Sequence, residues 1–362
     1  MSRPPDTDAA SAAPSSRKPS IAAFATVVAV AAVVAIGYLV YRVARSPVRT
    51  QPSLAAVASA NHVASIDLAQ PYVLYRHATS GDSGQGDVWR AALTAEQAGI
   101  TDTQQTVHCN RAYFAAGHGL CLLSDFDGAW QGIVRIIRFD TGFNRTEIGQ
   151  YTGIPSRARV SRDGKRGAFT IFVVGHSYAI EGFSTQTMVG LLDDPRSWVS
   201  IETFQVYRAD GSTWRAVDFN FWGVTFTADS NVFYATLGSG GHTYLVRGDI
   251  AANDIHILRE GVECPSLSPD GTRLAFKHAV RPGFWAVHVL DLRTMAETAL
   301  EAEQRNVDDQ VEWLDDGHLL YGLPNGTDAA TSAWDIWSLS TDGQHAPALF
   351  LANADSPAVV RP

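Results

Sequence analysis

The chain has 362 residues, of which 46% are hydrophobic and 18% are charged, and its formal net charge is −9. It is too apolar for a disordered protein and long enough for one large domain or two smaller ones. Because an acidic protein is a poor candidate for contacts with a phosphate backbone, we expect no nucleic-acid partner.

The N-terminal region predicts a membrane anchor. Residues 1–20 are rich in Ser, Pro and Ala, which is typical of a disordered tail. Residues 21–40 contain no charged side chain, and 20 helical residues extend about 30 Å, the thickness of a bilayer core. Tyr38 and Tyr41 stand at one end, where aromatic rings favour the membrane interface. We predict a transmembrane helix over residues 21–41.

A cleaved signal peptide is the alternative interpretation of the same apolar segment. Ala58-Ser59-Ala60 has the form of a cleavage site, but it lies well beyond the apolar run, which is itself longer than the usual core of a signal peptide. Retention of the anchor is therefore favoured. Basic residues are equally numerous on both flanks, so the positive-inside rule leaves the orientation open. Residues 42–64 are predicted to form a linker of small residues.

After the linker, a hairpin sequence recurs along the chain. Its clearest copy, CPSLSPDGTRLAF at residues 264–276, places an Asp-Gly turn between two short apolar segments. This arrangement predicts a β-hairpin, because glycine accepts the positive φ of the turn. The copies centre on positions 116, 163, 229, 270 and 316, so that successive units are 41, 46 or 47 residues apart, with one interval of 66. The long interval contains residues 175–197, which we predict as a loop.

Further strands are predicted after the hairpins at residues 133–139, 243–248, 285–292 and 335–339. Repeats of this length with four short strands each are typical of β-propeller blades. One more unit before position 116 falls at residues 70–75, and it lacks a first strand. Residues 355–359 are similar to the opening of a blade at 263–267, so the C-terminus would supply that strand and close the ring. We predict an all-β, six-bladed β-propeller over residues 65–362.

The sequence SLSPDGTRLAF resembles the blade motif of TolB-like β-propellers, which also form the non-catalytic domain of prolyl-oligopeptidase-type peptidases. Over residues 109–362 the chain looks more narrowly like the membrane-anchored TolB-like translocation proteins of actinobacteria. The supporting stretches are HCNRAYFAAGHGLCL, GIPSRARVSRDG, FWGVTF, GVECPSLSPDGTRLAFK and VDDQVEWLDDGHLLYGLP. The resemblance implies a cytoplasmic N-terminus and an outward-facing propeller at the cell membrane. It is specific for the fold and says little about activity.

The three cysteines are Cys109, Cys121 and Cys264. A short hairpin could bring Cys109 and Cys121 together, and outside the cell the pair would form a disulfide; two reduced, buried thiols are an equal alternative. Their spacing does not match a zinc site. Cys264 is expected to be a small core residue.

The sequence carries no nucleophile elbow, no phosphate-binding loop and no appended α/β domain of the kind that peptidases with this propeller need. We therefore expect no catalytic residue, no cofactor and no metal.

The geometry of a propeller indicates where a ligand would bind. Loops that enter the innermost strands surround one mouth of the central channel, and loops between second and third strands rim the same face. The candidate ligand-binding or partner-binding residues on these loops are Arg157, His176, Tyr178, Trp222, His242, Glu263, Asp308, Asp309 and Gln310. The alternative is structural: the carboxylates would accept backbone N–H groups at strand starts, and Trp222 would wedge between blades. Asp308 and Asp309 are adjacent, so their side chains point to opposite sides of an extended chain.

The predicted function is that of a single-pass membrane protein whose extracytoplasmic propeller binds or scaffolds an envelope protein or a peptide segment. An envelope hydrolase of the glycoside type, using carboxylates in the channel, is the alternative enzyme hypothesis. A further alternative is a structural anchor that organises another membrane protein through its blade edges.

Overall fold

The computed structural model describes residues 67–79, 86–93, 100–101, 107–124, 132–173, 184–326 and 333–361. All of them belong to one compact unit, Val63–Pro362. The predicted tail, transmembrane helix and linker lie outside the described residues. Within the described ranges, no helix has the length and apolar character needed to cross a bilayer.

The first sheet joins the two ends of this unit. In the order β25-β1-β2-β3, its strands are Ala354–Val360 (β25), Tyr72–His77 (β1), Val88–Ala92 (β2) and Ile100–Thr101 (β3). The C-terminal strand β25 runs antiparallel to β1, with Tyr72 opposite Val360. The end of the chain therefore provides the strand that this sheet lacks in sequence order.

The second sheet has seven strands because one long strand is shared by two antiparallel groups. The strands are Arg111–Ala115 (β4), His118–Ser124 (β5), Gly132–Asp140 (β6), Arg145–Val160 (β7), Arg166–Val173 (β8), Ser184–Leu191 (β9) and Val199–Ser200 (β10). Residues 145–153 of β7 pair with β6, and residues 154–160 pair with β8. The pairing thus divides the sheet into β4 to β7 and β7 to β10.

The third sheet follows two 3₁₀ turns, Pro195–Ser197 and Ile201–Thr203. Its strands are Gln205–Tyr207 (β11), Thr213–Trp214 (β12), Asn220–Phe226 (β13), Val232–Ser239 (β14), His242–Asp249 (β15) and Asp254–Glu260 (β16). Strands β13 to β16 are consecutive and antiparallel, and β11 adds to β16 in parallel.

These elements correct the prediction of a loop over residues 175–197, because Ser184–Leu191 forms strand β9. Along β9, six of the eight residues are buried. Further residues of the long interval lie after β9, in the turns and in β10 to β12. The strand was missed because the side chains of β9 are mostly small or polar and do not look like core residues in the sequence. Thr187, for example, is fully buried, and its hydroxyl forms hydrogen bonds with Thr170 and with the Phe221 carbonyl.

The fourth and fifth sheets each contain four consecutive antiparallel strands. The fourth consists of Glu263–Leu267 (β17), Arg273–Arg281 (β18), Phe284–Asp291 (β19) and Glu297–Ala299 (β20). The fifth consists of Glu312–Trp313 (β21), His318–Pro324 (β22), Trp334–Ser340 (β23) and Ala348–Leu351 (β24). Together the sheets form an all-β propeller.

The recurring aspartate of the hairpin sequence closes the tight turns at Asp163, Asp229 and Asp270 with hydrogen bonds. In the fourth sheet, Ser268 donates its hydroxyl to Asp270, at 2.6 Å, and the backbone N–H of Thr272 donates to the same carboxylate oxygen. These bonds lower the pKa of Asp270 to about 2. Gly271 has φ +74°, the left-handed conformation that glycine adopts without steric cost.

The core lies between neighbouring sheets. One apolar cluster joins Tyr72 and Leu74 of the first sheet to Phe114 of the second. Within it, a disulfide joins Cys109 and Cys121, whose Cα atoms are 5.6 Å apart. Each such cluster fixes the position of two adjacent sheets and hence of the innermost strands.

Candidate functional site

Two cavities lie along the innermost strands and share two lining residues, and we call the space that they occupy the central channel. The cavity at the strand starts has a volume of about 30 Å³ and is lined by Arg111, Arg157, Asp309, Gln310 and Ser356, among others. The cavity at the strand ends is larger, about 330 Å³, and its lining includes Arg162, Glu312, Trp313 and Arg361. Tyr113 and Arg159 line both cavities.

Glu312 accepts hydrogen bonds from the two residues that line both cavities. Its Oε1 accepts a hydrogen bond from the hydroxyl of Tyr113, at 2.9 Å, and another from the backbone N–H of Val359, at 3.2 Å. Its Oε2 accepts from the guanidinium of Arg159, which also lies 4.4 Å from the centre of the Tyr113 ring. Groups from the first, second and fifth sheets thus meet at this carboxylate.

The charges of this cluster are fixed by burial and by one another. The side chains of Arg159 and Glu312 are only 7% and 6% exposed. Burial disfavours the charged form of Arg159, but Tyr113 and Glu312 outweigh that effect, so the pKa of Arg159 is raised. Burial and the neighbouring Glu312 raise the pKa of Tyr113, which keeps its hydroxyl protonated as a donor. The cluster is therefore a buried ion pair between Arg159 and Glu312, with the Tyr113 hydroxyl as a further hydrogen-bond donor.

Three of the predicted site residues, Arg157, Asp309 and Gln310, come together at the smaller cavity. Gln310 donates its side-chain amide to the carbonyl of Pro265, at 2.9 Å, which fixes its orientation. The backbone N–H groups of Gln310 and Gly322 donate to the two carboxylate oxygens of Asp309. These bonds agree with the structural role considered for carboxylates at strand starts, while Asp309 still lines the cavity.

Asp309 is the acidic residue that lines the smaller cavity, and its pKa is shifted. Burial raises its pKa, while Arg157 and Arg111 act in the opposite direction and Asp355 adds to the increase. The buried Nε of Arg157 has no hydrogen-bond partner among the described residues. An unpartnered buried guanidinium N–H is a donor that a bound anion would satisfy.

The predicted residues Asp308 and Glu263 belong to a separate chain of contacts beside the channel. Lys277 donates to Asp308, at 2.6 Å, and its ammonium lies 4.4 Å from the ring centre of Trp285. The indole N–H of Trp285 donates to Glu263, at 3.0 Å. These side chains satisfy one another, and neither Asp308 nor Glu263 lines either cavity.

Two further predicted residues, Trp222 and His242, line neither cavity. Trp222 packs over Gly238, where an added Cβ would come within 2.8 Å of the indole ring. His242 lies on the exposed hairpin between β14 and β15, where its Nδ1 is 2.5 Å from Glu260. His176 and Tyr178 lie outside the described residues.

The channel carries an excess of positive charge that the sequence interpretation missed. The described residues that line the two cavities include two carboxylates, those of Asp309 and Glu312, and five arginines, namely Arg111, Arg157, Arg159, Arg162 and Arg361. The protein as a whole has a net charge of −9. The alternation of side chains along a strand could have identified Arg159, because it lies two residues from Arg157 and therefore on the same face of β7.

A third cavity lies away from the channel, beside the second and third sheets. It has a volume of about 310 Å³ and contains Glu202 among its lining residues. Burial raises the pKa of Glu202 to about 7, although hydrogen bonds from Ser200 and from the Thr187 backbone favour its ionised form.

No protein-family model matches the sequence, and neither does any curated protein. Among solved structures, the chain is similar to TolB from Acinetobacter baumannii, with a TM-score of 0.55 and 16% identity, over 80% of this chain and 66% of that chain. It is also similar to a chain of a nidogen/laminin complex, with a TM-score of 0.51 and 12% identity, over 80% of this chain and 97% of that one.

A manganese-bound oligogalacturonate lyase has a lower TM-score, 0.44, at 11% identity, over 71% of this chain and 72% of that one. The chain spans about two thirds of the length of the Acinetobacter TolB. At these identities the comparisons establish a TolB-like propeller fold and leave the activity open.

Proposed function

We propose that this protein is a binding module whose central channel receives an anionic segment, such as an acidic stretch of a partner protein. The observation that carries the proposal is the set of five arginines against two carboxylates around the two channel cavities, within an acidic protein. A positive channel in a negative surface attracts an acidic ligand to one place and repels it elsewhere.

The cavity at the strand ends is the better place for the contacts with the ligand. Its volume of about 330 Å³ is within the range of small-ligand sites. Arg162 donates to the carbonyl of Ser268, at 2.7 Å, and Arg361 donates to that of Leu314, at 2.6 Å. In both hydrogen bonds the acceptor is a neutral carbonyl oxygen. These bonds therefore orient the guanidinium without neutralising its charge. The remaining N–H donors can bind a carboxylate in a bidentate manner.

A direct test uses two fluorescein-labelled peptides, hexaglutamate and hexalysine, with the full-length protein in detergent. Fluorescence anisotropy should show binding of hexaglutamate that weakens as salt is added, and no binding of hexalysine. In the variant Arg162→Gln/Arg361→Gln the dissociation constant for hexaglutamate should rise at least about tenfold, since hydrogen bonds to charged groups contribute roughly 1.5–3 kcal/mol each.

The matched control is Arg293→Gln, which removes an exposed arginine from the turn after β19. It changes the net charge without touching the channel and should leave the affinity unchanged. Equal binding of both peptides, or equal weakening by the control, would refute recognition in the channel.

We further propose that residues 21–41 anchor the protein in the cell membrane with the propeller outside, as a single-pass member of the TolB-like translocation group. The support is the uncharged segment and the resemblance of the blade sequences. Fractionation of cells that produce the full-length chain, or a variant lacking residues 21–41, tests the anchor. The full-length protein should sediment with membranes and be digested by protease added to intact cells, whereas release of the full-length protein into the soluble fraction would exclude the anchor.

We also propose a count of six blades. The seven-stranded second sheet counts as two blades if β7 belongs to both. The third, fourth and fifth sheets each contain four consecutive antiparallel strands, and the first contains three strands and the C-terminal one, so each of these four sheets counts as one blade. An experimental structure of the propeller would count the blades directly.

The alternative is an envelope hydrolase, and one observation favours keeping it. Asp309 has a raised pKa, as a general acid requires, and Asp355 lies close enough to contribute to that increase. Asp355, however, is paired with Arg76, and Asp309 accepts two backbone hydrogen bonds. Release of reducing sugar from purified cell-wall polysaccharide by the wild type, abolished in Asp309→Asn, would establish this alternative.

A further inference from the structure

We propose that His278, His288 and Glu297 form a binding site for a transition-metal ion, with zinc as its best-fitting occupant. The site lies on the fourth sheet and is separate from the channel, so it does not depend on the proposed function. Among the described residues, these three side chains form a group whose potential ligand atoms all lie within 4.8 Å of one another.

The register of the sheet brings the three side chains to one face. His288 on β19 is opposite Phe276 on β18, and His278 is two residues further along β18. On the other side, His288 is opposite Ala299 on β20, and Glu297 is two residues away. Residues two apart on a strand share a face, so His278, His288 and Glu297 are diagonal neighbours on it.

The ligand atoms converge on one point. The Nδ1 atoms of His288 and His278 are 2.5 Å and 3.3 Å from Oε1 of Glu297. Around a tetrahedral zinc ion, ligand atoms about 2.0–2.1 Å from the metal are about 3.3 Å from one another. Small side-chain rotations would therefore suffice to place an ion among these three atoms.

Protein groups satisfy only part of this convergence: Nδ1 of His288 is hydrogen-bonded to Oε1 of Glu297, whereas Nδ1 of His278 has no hydrogen-bond partner among the described residues. The two imidazole rings are stacked, with centroids 4.3 Å apart and an angle of 7° between their planes, so both Nδ1 atoms face the same carboxylate oxygen. A metal ion would give the buried Nδ1 of His278 a partner.

The outer contacts orient the ligands as metal sites require. Arg259 donates to Oε2 of Glu297, which leaves Oε1 directed at the histidines, as outer-shell hydrogen bonds do for ligating carboxylates. Phe276 packs 5.8 Å from the ring of His288 and gives the site an apolar floor. The side chains of His278, His288 and Glu297 are 37%, 14% and 21% exposed, so an ion can enter from solvent.

The ligand chemistry selects the metal. Two imidazole nitrogens and one carboxylate oxygen suit zinc and disfavour calcium and magnesium, which require oxygen ligands. Three protein ligands leave a fourth position for water or for a group of a binding partner. The positive charge of Arg259 opposes the cation and limits the affinity, so we expect binding in the micromolar range.

The test is a competition titration of zinc chloride between the full-length protein and a chromophoric zinc indicator at pH 7.4. The wild type should bind one zinc ion per chain at micromolar concentrations. His288→Gln and Glu297→Gln should each raise the dissociation constant at least tenfold. Circular dichroism of the metal-free variants checks that they are folded.

The matched control is His242→Gln, because His242 pairs with Glu260 in a two-ligand contact on the neighbouring sheet. It should not change the binding. The proposal is overturned if the wild type binds no zinc at 100 micromolar, or if His288→Gln and the control bind zinc as the wild type does. X-ray absorption of the zinc-loaded protein adds an independent result: nitrogen and oxygen ligands support the site, and sulfur ligation from Cys264 would contradict it.

Discussion

The buried carboxylate of Glu202 makes the stability of the propeller depend on pH. Glu202 is partly buried in the 3₁₀ turn Ile201–Thr203, and burial raises its pKa from 4.5 to about 7. Between these two values the folded state binds more protons than the unfolded state. The contribution of Glu202 to the free energy of unfolding should therefore be greatest below pH 4.5 and be lost as the pH rises through 7.

The magnitude follows from the pKa difference. A difference of one pKa unit corresponds to about 1.4 kcal/mol, so the rise from 4.5 to about 7 gives an upper limit of about 3 kcal/mol. Residual solvent at the side chain reduces this effect, and we expect a loss of roughly 2 kcal/mol between pH 4.5 and pH 8.5.

Glu202→Gln removes the titrating group while keeping an acceptor for the Thr187 N–H. Urea unfolding of the wild type and of Glu202→Gln at both pH values isolates the effect, because the other titrating groups are common to both proteins. Glu301→Gln, at an exposed position, controls for the loss of one carboxylate. A difference between wild type and Glu202→Gln that is the same at both pH values, or that changes in the opposite direction, would refute the reasoning.

Three further predictions concern stability, each measured by urea unfolding. Glu312→Ala should cost about 3 kcal/mol or more, because it leaves the Arg159 charge buried without its partner; a cost below 1 kcal/mol would contradict the buried ion pair. Cys109→Ser/Cys121→Ser should cost about 3 kcal/mol, since the disulfide closes a loop with a sequence separation of 12; an unchanged midpoint would argue against the bond. Gly223→Ala should cost about 2–3 kcal/mol, because φ is +67° there and the new Cβ would lie 2.6 Å from backbone of β17; a neutral effect would show that the two strands are less closely packed.

The repeated hairpins made the propeller predictable, because their signal is local. An Asp-Gly turn needs only a glycine at positive φ and an acceptor for nearby N–H groups, and both are encoded within a few residues. The predicted strand at residues 243–248 lies within His242–Asp249, and that at 133–139 lies within Gly132–Asp140. Strand β9 was missed because its buried threonines are polar by composition.

The candidate site was less predictable because its contacts are long-range. Tyr113 and Glu312 are 199 residues apart in sequence and meet only when the innermost strands surround the channel. Arg157 and Asp309 were predicted from their positions at strand starts, and both line the smaller cavity. The pairing of Asp308 with Lys277 was not predictable in this way, because it joins the loop before β21 to strand β18. The cluster of His278, His288 and Glu297 was not recognised in the sequence for the same reason, since these residues lie on three strands.

The measurement that tests recognition in the channel most directly is photo-crosslinking in intact cells. The photoreactive residue p-benzoylphenylalanine would replace Leu267, which lines the larger cavity, or Leu349 on the outer strand β24, which is 53% exposed. We predict a defined adduct from position 267 that is lost when Arg162→Gln/Arg361→Gln is added, and none from position 349. An adduct from position 349 with none from position 267 would place the partner on the blade edge and contradict the account.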